Sequence, residues 1–139
     1  MRLPSGIVTF VFSDIEGSTR LWEQYPEQMG AALARHTALI KEALQERHGG
    51  VLFKTAGDSC CAAFDSAPAA LAAALDAQRA LLAEDFSAVG SLRVRMALHT
   101  GPAQVQEDPP DYFGAALSRA ERLLRIGRGG QVLLSEAAV

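Results

Sequence analysis

With 139 residues, 49% of them hydrophobic and 21% charged, the sequence describes one globular domain and excludes a disordered, collagen-like or rod-like chain. A net charge of −3 argues against a nucleic-acid binder, which needs a basic surface. No apolar run nears the ~20 residues that span a bilayer; the first apolar run, with Asp14 close behind it and no small-residue cleavage site, does not read as a signal peptide; and the only two cysteines, Cys60 and Cys61, are adjacent and too few for a structural zinc site. Together these features imply a soluble, reduced, cytoplasmic domain.

Ile7 to Phe12 is β-branched and aromatic throughout, the pattern of a strand buried on both faces. It runs into Ser13-Asp14-Ile15-Glu16-Gly17-Ser18-Thr19, a polar loop suited to opening a helix. Met29, Leu33, His36, Ile40 and Leu44 recur every three or four positions and define an amphipathic helix, stopped by Gly49-Gly50. Two short apolar runs, 51–54 and 59–64, flank Thr55-Ala56-Gly57-Asp58 and predict a β-hairpin. Asp65 or Ser66 caps an alanine-rich helix with Pro68 in its first turn. Residues 92–99 alternate charged and apolar and predict a half-buried strand, ended by Gly101-Pro102 and followed by an exposed acidic turn, Glu107-Asp108-Pro109-Pro110. A helix is expected over 113–126 and a last strand over 131–134, after which Ser135 caps a helix start.

This order predicts an α+β fold: a ferredoxin-like βαββαβ core with helices packed on one face of the sheet. It forms a single domain over residues 1–139. A strand or hairpin normally follows such a capped helix start, so the sequence is expected to be truncated at its C-terminus and to belong to a longer polypeptide with further domains. His36 is expected at the core edge, His48 at a helix C-terminus, and His99 packed rather than ligating, since no partner histidine has metal spacing. Cys60 and Cys61 should fill the two faces of the hairpin, and Trp22 should pack.

Two carboxylates carry the chemistry. Asp14 closes the first strand and Asp58 sits at the hairpin tip. If strand and hairpin are neighbours, both meet at one edge of the sheet, where they can hold one or two Mg²⁺ ions that grip a triphosphate. The turn of Ile15, Glu16, Gly17, Ser18 and Thr19 opens a helix, so its N–H groups can bind phosphate oxygens. Taken singly, an aspartate in such a turn is more often an ordinary turn or cap residue; a carboxylate directly after six apolar residues, paired with a second in a Lys-x-x-Gly-Asp turn, shifts the balance.

Four motifs in order resemble the signatures of class III nucleotide cyclases. They are Phe12-Ser13-Asp14-Ile15-Glu16-Gly17-Ser18-Thr19, then Lys54-Thr55-Ala56-Gly57-Asp58 with Ala63-Phe64, then Arg95-Met96-Ala97-Leu98-His99-Thr100-Gly101, and Asp111-Tyr112-Phe113-Gly114 with residues 119–124. The resemblance covers nearly the whole chain and looks like a bacterial subgroup often attached to large regulators. It implies a nucleotide cyclase fold. It implies Asp14 and Asp58 as ligands of two Mg²⁺ or Mn²⁺ ions, and residues 15–19 as the phosphate loop. It also implies Lys54 and Asp111 as the adenine-recognising pair, Arg122 as the transition-state arginine and Ser118 at the place of a ribose-orienting asparagine. Guanine-selective members tend to carry Glu and Cys or Ser at the two base positions, so the Lys54/Asp111 pair implies ATP. In the family the metal ligands and the base- and transition-state residues come from opposite subunits, which implies a homodimer with two shared interface sites.

The implied activity is therefore an adenylate cyclase that converts ATP to 3′,5′-cyclic AMP and pyrophosphate. Ser118 is shorter than asparagine, and the family's triphosphate-binding lysine lies in a terminal hairpin absent from these 139 residues. Both favour the alternative of a weak or inactive cyclase-homology module that binds nucleotide or dimerises to regulate an attached protein. A cyclic-dinucleotide synthase is a poorer match, because Gly57-Asp58-Ser59 lacks the expected Gly-Gly-[Asp/Glu]-Glu-Phe turn.

Overall fold

The structure, a computed structural model, describes residues 3–138. The elements are β1 (Gly6–Ile15), α1 (Ser18–Gln24), α2 (Met29–Lys41), β2 (Val51–Ala56), β3 (Ser59–Phe64), α3 (Ala67–Ala83), β4 (Val94–Glu107), β5 (Pro110–Phe113), α4 (Ala115–Arg125) and β6 (Val132–Leu134). The sheet order is β2-β3-β1-β4-β5, with β6 also paired to β4. All pairings are antiparallel except β4 with β6. No helix among the described residues is long and apolar enough to cross a membrane.

The apolar run of β1 is buried on both faces, as its composition predicts. Val11 and Ile15 join α2 and α3 in the larger core. Val8, Phe10 and Phe12 point the other way, into a second core completed by Ala116, Ala120 and Leu124 of α4. The expectation of helices on one face is thus corrected. A period of two gives β1 two apolar sides, and each needs its own cover.

The strand beginning near residue 92 does not stop at Gly101-Pro102; β4 continues to Glu107. Its first half pairs with β6 over Met96–Leu98 and its last with β5 over Gln104–Glu107. Pro102 falls between these stretches, where β4 has β1 as its one neighbour, a position in which a proline interrupts little of the ladder. The acidic turn before Pro110 is therefore the tip of a hairpin, and Phe113 belongs to β5 rather than to the helix. Ser66, not Asp65, caps α3: its Oγ accepts from the Ala69 N–H at 3.3 Å.

His36 lies deeper than the core edge, with no exposed surface. His99 is packed, 6% exposed, with its Nδ1 2.7 Å from Ser135 Oγ. His48 follows the helical turn at Glu42–Arg47 and meets Asp76 of α3. Cys60 is in the larger core, whereas Cys61 packs against the α4-side core, one on each face of the hairpin. Trp22 is 41% exposed rather than packed; α1 turns Leu21, its neighbour, into the core instead.

Candidate active site

Asp14, the last residue but one of β1, lies directly opposite Arg95 of β4. Their side chains form a two-pronged ion pair, Arg95 Nε donating to Asp14 Oδ1 at 2.7 Å and the second guanidinium nitrogen to Oδ2 at 2.5 Å. Both side chains are about four-fifths buried, so the pair is screened little. The Asp14 hydrogen bond, foremost, holds the Arg95 guanidinium above its ordinary basicity. Immediately after, the Ile15 N–H donates to Asp58 Oδ2 at 2.9 Å. The hairpin tip that carries Asp58 is thereby fixed against the residue following Asp14. Gly17, at φ 67°, then turns the chain into α1, a left-handed conformation that favours glycine.

Beside this corner lies a cavity of about 460 Å³. Asp14 of β1, Lys54 of β2, Asp111 of β5 and Ser118 of α4 all line it. Its apolar wall is aromatic: Phe12, Phe53, Tyr112 and Phe113 line it, Phe53 and Tyr112 meet edge to face at 4.8 Å, and the buried Phe10 backs Tyr112 at 5.1 Å. The Tyr112 hydroxyl donates to the Pro4 carbonyl at 2.6 Å, and burial pushes its pKa up to about 12. Cys61 also lines the cavity. Burial first, then Cys60, push the Cys61 thiol up to about 12 against the opposing charge of Lys54. It is a neutral lining group rather than a nucleophile. The Asp111 carboxylate accepts from the Tyr112 N–H at 2.8 Å, which sets its orientation at the cavity edge.

Asp58, Arg122 and residues 15–19 do not line this cavity. Arg122 is exposed on α4 and forms no ion pair among the described residues; Arg125, one turn on, takes Glu121 instead at 2.9 Å. Glu16 turns its carboxylate to the Gly129 N–H. It borders a separate cleft of about 470 Å³ with Arg20, Tyr25, Gly90 and Arg93. Sequence reasoning missed the Arg95 partner of Asp14, the aromatic wall, and Glu121 and Arg125 in the cavity lining. In the sequence Arg95 stands out only as one of the alternating charges of 92–99 and the first residue of the third motif, and pairing it with Asp14 requires the β1–β4 register.

The donor chemistry suits a hard divalent cation. Asp58 keeps Oδ1 free of protein partners among the described residues. Each oxygen of Asp14 retains a lone pair beyond its bond to Arg95. No group of three or more metal-ligating side chains exists among the described residues. Two carboxylates are what Mg²⁺ takes from a protein when substrate phosphates and water supply its remaining positions.

A family model for the adenylate and guanylate cyclase catalytic domain matches residues 3–139. An uncharacterized protein of Mycobacterium tuberculosis is 41% identical over 136 residues, which is 96% of this chain and 44% of that protein. An adenylate cyclase of Podospora anserina is 34% identical over 95% of this chain and 7% of its own length. The chain thus spans less than half of these curated relatives. Among solved structures, an adenylate cyclase of Trypanosoma brucei in its monomeric state superposes with a TM-score of 0.90 at 30% identity, over 99% of this chain and 77% of that one. The adenylyl cyclase CyaB of P. aeruginosa shares the fold, with a TM-score of 0.81 at 23% identity over 99% and 81% of the two chains. With one family model matching residues 3–139 and the fold shared with solved cyclase domains, the chain belongs to the adenylate and guanylate cyclase catalytic domains.

Proposed function

We propose that this domain is an adenylate cyclase, converting ATP to 3′,5′-cyclic AMP and pyrophosphate. One observation carries the reading: Asp14, Lys54, Asp111 and Ser118, from four separate elements, line a single aromatic-walled cavity. Its volume of about 460 Å³ lies in the range of small-ligand sites.

The chemistry is attack of the ribose 3′-oxygen on the α-phosphorus with pyrophosphate leaving in line. Asp14 and Asp58 would hold two Mg²⁺ or Mn²⁺ ions, whose chemistry there would be to lower the 3′-hydroxyl pKa and to neutralise triphosphate charge. Lys54 and Asp111 present one donor and one acceptor to the adenine edge, while Phe53 and Tyr112 give its ring an apolar surface. Ile15 and Glu16 already donate their N–H groups to Asp58 and to the Arg93 carbonyl, so within the turn it is the N–H groups of residues 17–19 that face the phosphates. Ser118 orients the ribose, by way of a water where an asparagine would reach directly. Arg122, exposed and free of a carboxylate partner among the described residues, reaches the site of a second copy and stabilises the charge that develops on the pentavalent phosphorus. A homodimer related by a twofold axis then contains two equivalent sites.

The test is direct. The purified protein is incubated with ATP or GTP and Mn²⁺, cyclic product is quantified, and Asp58→Ala is run alongside. Cyclic AMP that disappears in the variant supports the proposal. Metal-dependent nucleotide binding without product would instead identify a binding module.

A further inference from the structure

Glu16 shares its cleft with two arginines, Arg20 and Arg93, yet among the described residues it forms an ion pair with neither. Its Oε2 accepts from the backbone N–H of Gly129 at 2.5 Å, 113 residues away. The Glu16 N–H in turn donates to the Arg93 carbonyl at 2.9 Å. Glu16 is thus tied at both ends, by its backbone to the start of β4 and by its side chain to the connector between α4 and β6.

That connector is a firm anchor. The Gly130 N–H donates to the Val94 carbonyl at 2.8 Å. The buried Gln78 amide bridges the carbonyls of Val94 at 2.8 Å and Gln131 at 3.1 Å. The contact also requires glycine at position 129: a Cβ there would lie 2.3 Å from Arg93 Cβ and 2.5 Å from Glu16 Oε2. The flanking loop has fewer restraints of its own. Gly17 has no side chain, and α1 begins without a side-chain cap.

We infer that Glu16 is a positioning residue. Its carboxylate latches residues 15–17 to the α4–β6 connector and so fixes the adjoining Asp14 and the phosphate-facing N–H groups, while touching neither nucleotide nor cation. The function of the latch in catalysis rests on the cyclase reading above; its existence does not. Because a carboxamide oxygen can accept the same hydrogen bond, the latch needs an acceptor at this place and not a charge.

The experiment compares Glu16→Gln, Glu16→Ala and Gly129→Ala in the full chain by amide hydrogen exchange and by steady-state kinetics with Mn²⁺ and ATP. Glu16→Ala is expected to speed exchange at Gly129 and to lower kcat by about tenfold through loss of alignment. Glu16→Gln should retain Gly129 protection and most of kcat. In both Glu16 variants KM for ATP and the Mn²⁺ half-saturation should stay within about twofold of the parent, since the group contacts neither. Gly129→Ala should match Glu16→Ala if it folds; the two Glu16 variants decide the matter if it does not. A Gln variant as impaired as the Ala variant while Gly129 stays protected would overturn the inference, as would a tenfold shift in the Mn²⁺ midpoint for Gln. Unchanged Gly129 exchange in Glu16→Ala would remove the latch itself. Should the parent protein form no cyclic product, the cyclase reading fails and the exchange data still judge the latch.

Discussion

The backbone N–H of Ile15 and the carboxylate of Asp58 are 2.9 Å apart, joining the end of β1 to the tip of the β2–β3 hairpin. One oxygen of Asp58 therefore serves the fold, and the other is available to a cation. The two roles separate on substitution. Asp58→Asn can still accept from Ile15, so its stability should remain near that of the parent while cyclic-nucleotide formation falls at least a hundredfold. Asp58→Ala should lose the same activity and, in addition, about 1 kcal/mol of stability for the orphaned N–H. Urea denaturation beside product assays checks both.

Arg95 and Asp14 make the complementary case. The guanidinium occupies both Asp14 oxygens and so competes with any cation at that carboxylate. Replacing Arg95 by Gln leaves a largely buried charge short of its partner and should lower stability by about 1–3 kcal/mol. The same change frees Asp14. In nucleotide-free protein, the gain in Tm on adding Mn²⁺ should be larger for Arg95→Gln than for the parent. An equal or smaller gain would show that Arg95 does not restrain cation binding.

Acid should loosen the core before it touches the carboxylates. Burial above all lowers the pKa of His36 below the ordinary 6.5, against the opposing pull of Asp58. Burial and then the Arg119 charge lower that of His99. Each ring also has an unpartnered buried Nε2. An imidazole with a depressed folded pKa binds fewer protons than the unfolded chain just below pH 6.5, so stability falls as pH drops through that window. Asp76, held below 3.8 chiefly by the His48 hydrogen bond, and Asp85, held there by Ser87, keep their contributions until pH falls below that value. Tm should therefore drop by roughly 5 °C between pH 7 and pH 5. Scanning calorimetry of His36→Leu should show a clearly shallower decline.

Base choice should reside in Lys54 and Asp111. Exchanging them together, Lys54→Glu with Asp111→Cys, reverses the donor and acceptor offered to the purine edge. The ratio of kcat/KM for ATP over GTP should fall by at least about tenfold, because unmatched polar groups discriminate strongly. Ser118→Asn, made separately, should raise turnover with little change in KM. Competition assays with both nucleotides measure the first effect, and initial rates the second.

Much of this was legible in the sequence because it is local. The apolar run of β1, the stripe of α2 and the turn at Gly57-Asp58 each declare themselves within a dozen residues. Four motifs in fixed order then announced the family. What escaped depends on register and on layers. Gly101-Pro102 is a good local stop signal, yet β4 passes through it because its partners change there. The placement of α4 opposite α2 and α3 follows from which side of β1 each helix covers, and a strand apolar on both sides does not encode that choice. Asp14 was identified from its position, but its bond to Arg95 needs an alignment of strands 81 residues apart. Glu16 was grouped with the phosphate loop, and its actual partner, a backbone amide of a glycine, leaves no mark in composition.

The lone helix α4 has a consequence for how such a protein can change. Five neighbouring strands spaced about 4.8 Å make a surface about 20 Å across, and one helix with its side chains roofs only about 10 Å of it. The uncovered strip is the groove edged by Lys54 and Asp111. Substitutions along that strip meet solvent or ligand rather than an interlocked interior, so ligand preference can drift there at little cost to folding. The opposite side, sealed by two helices, has no such freedom.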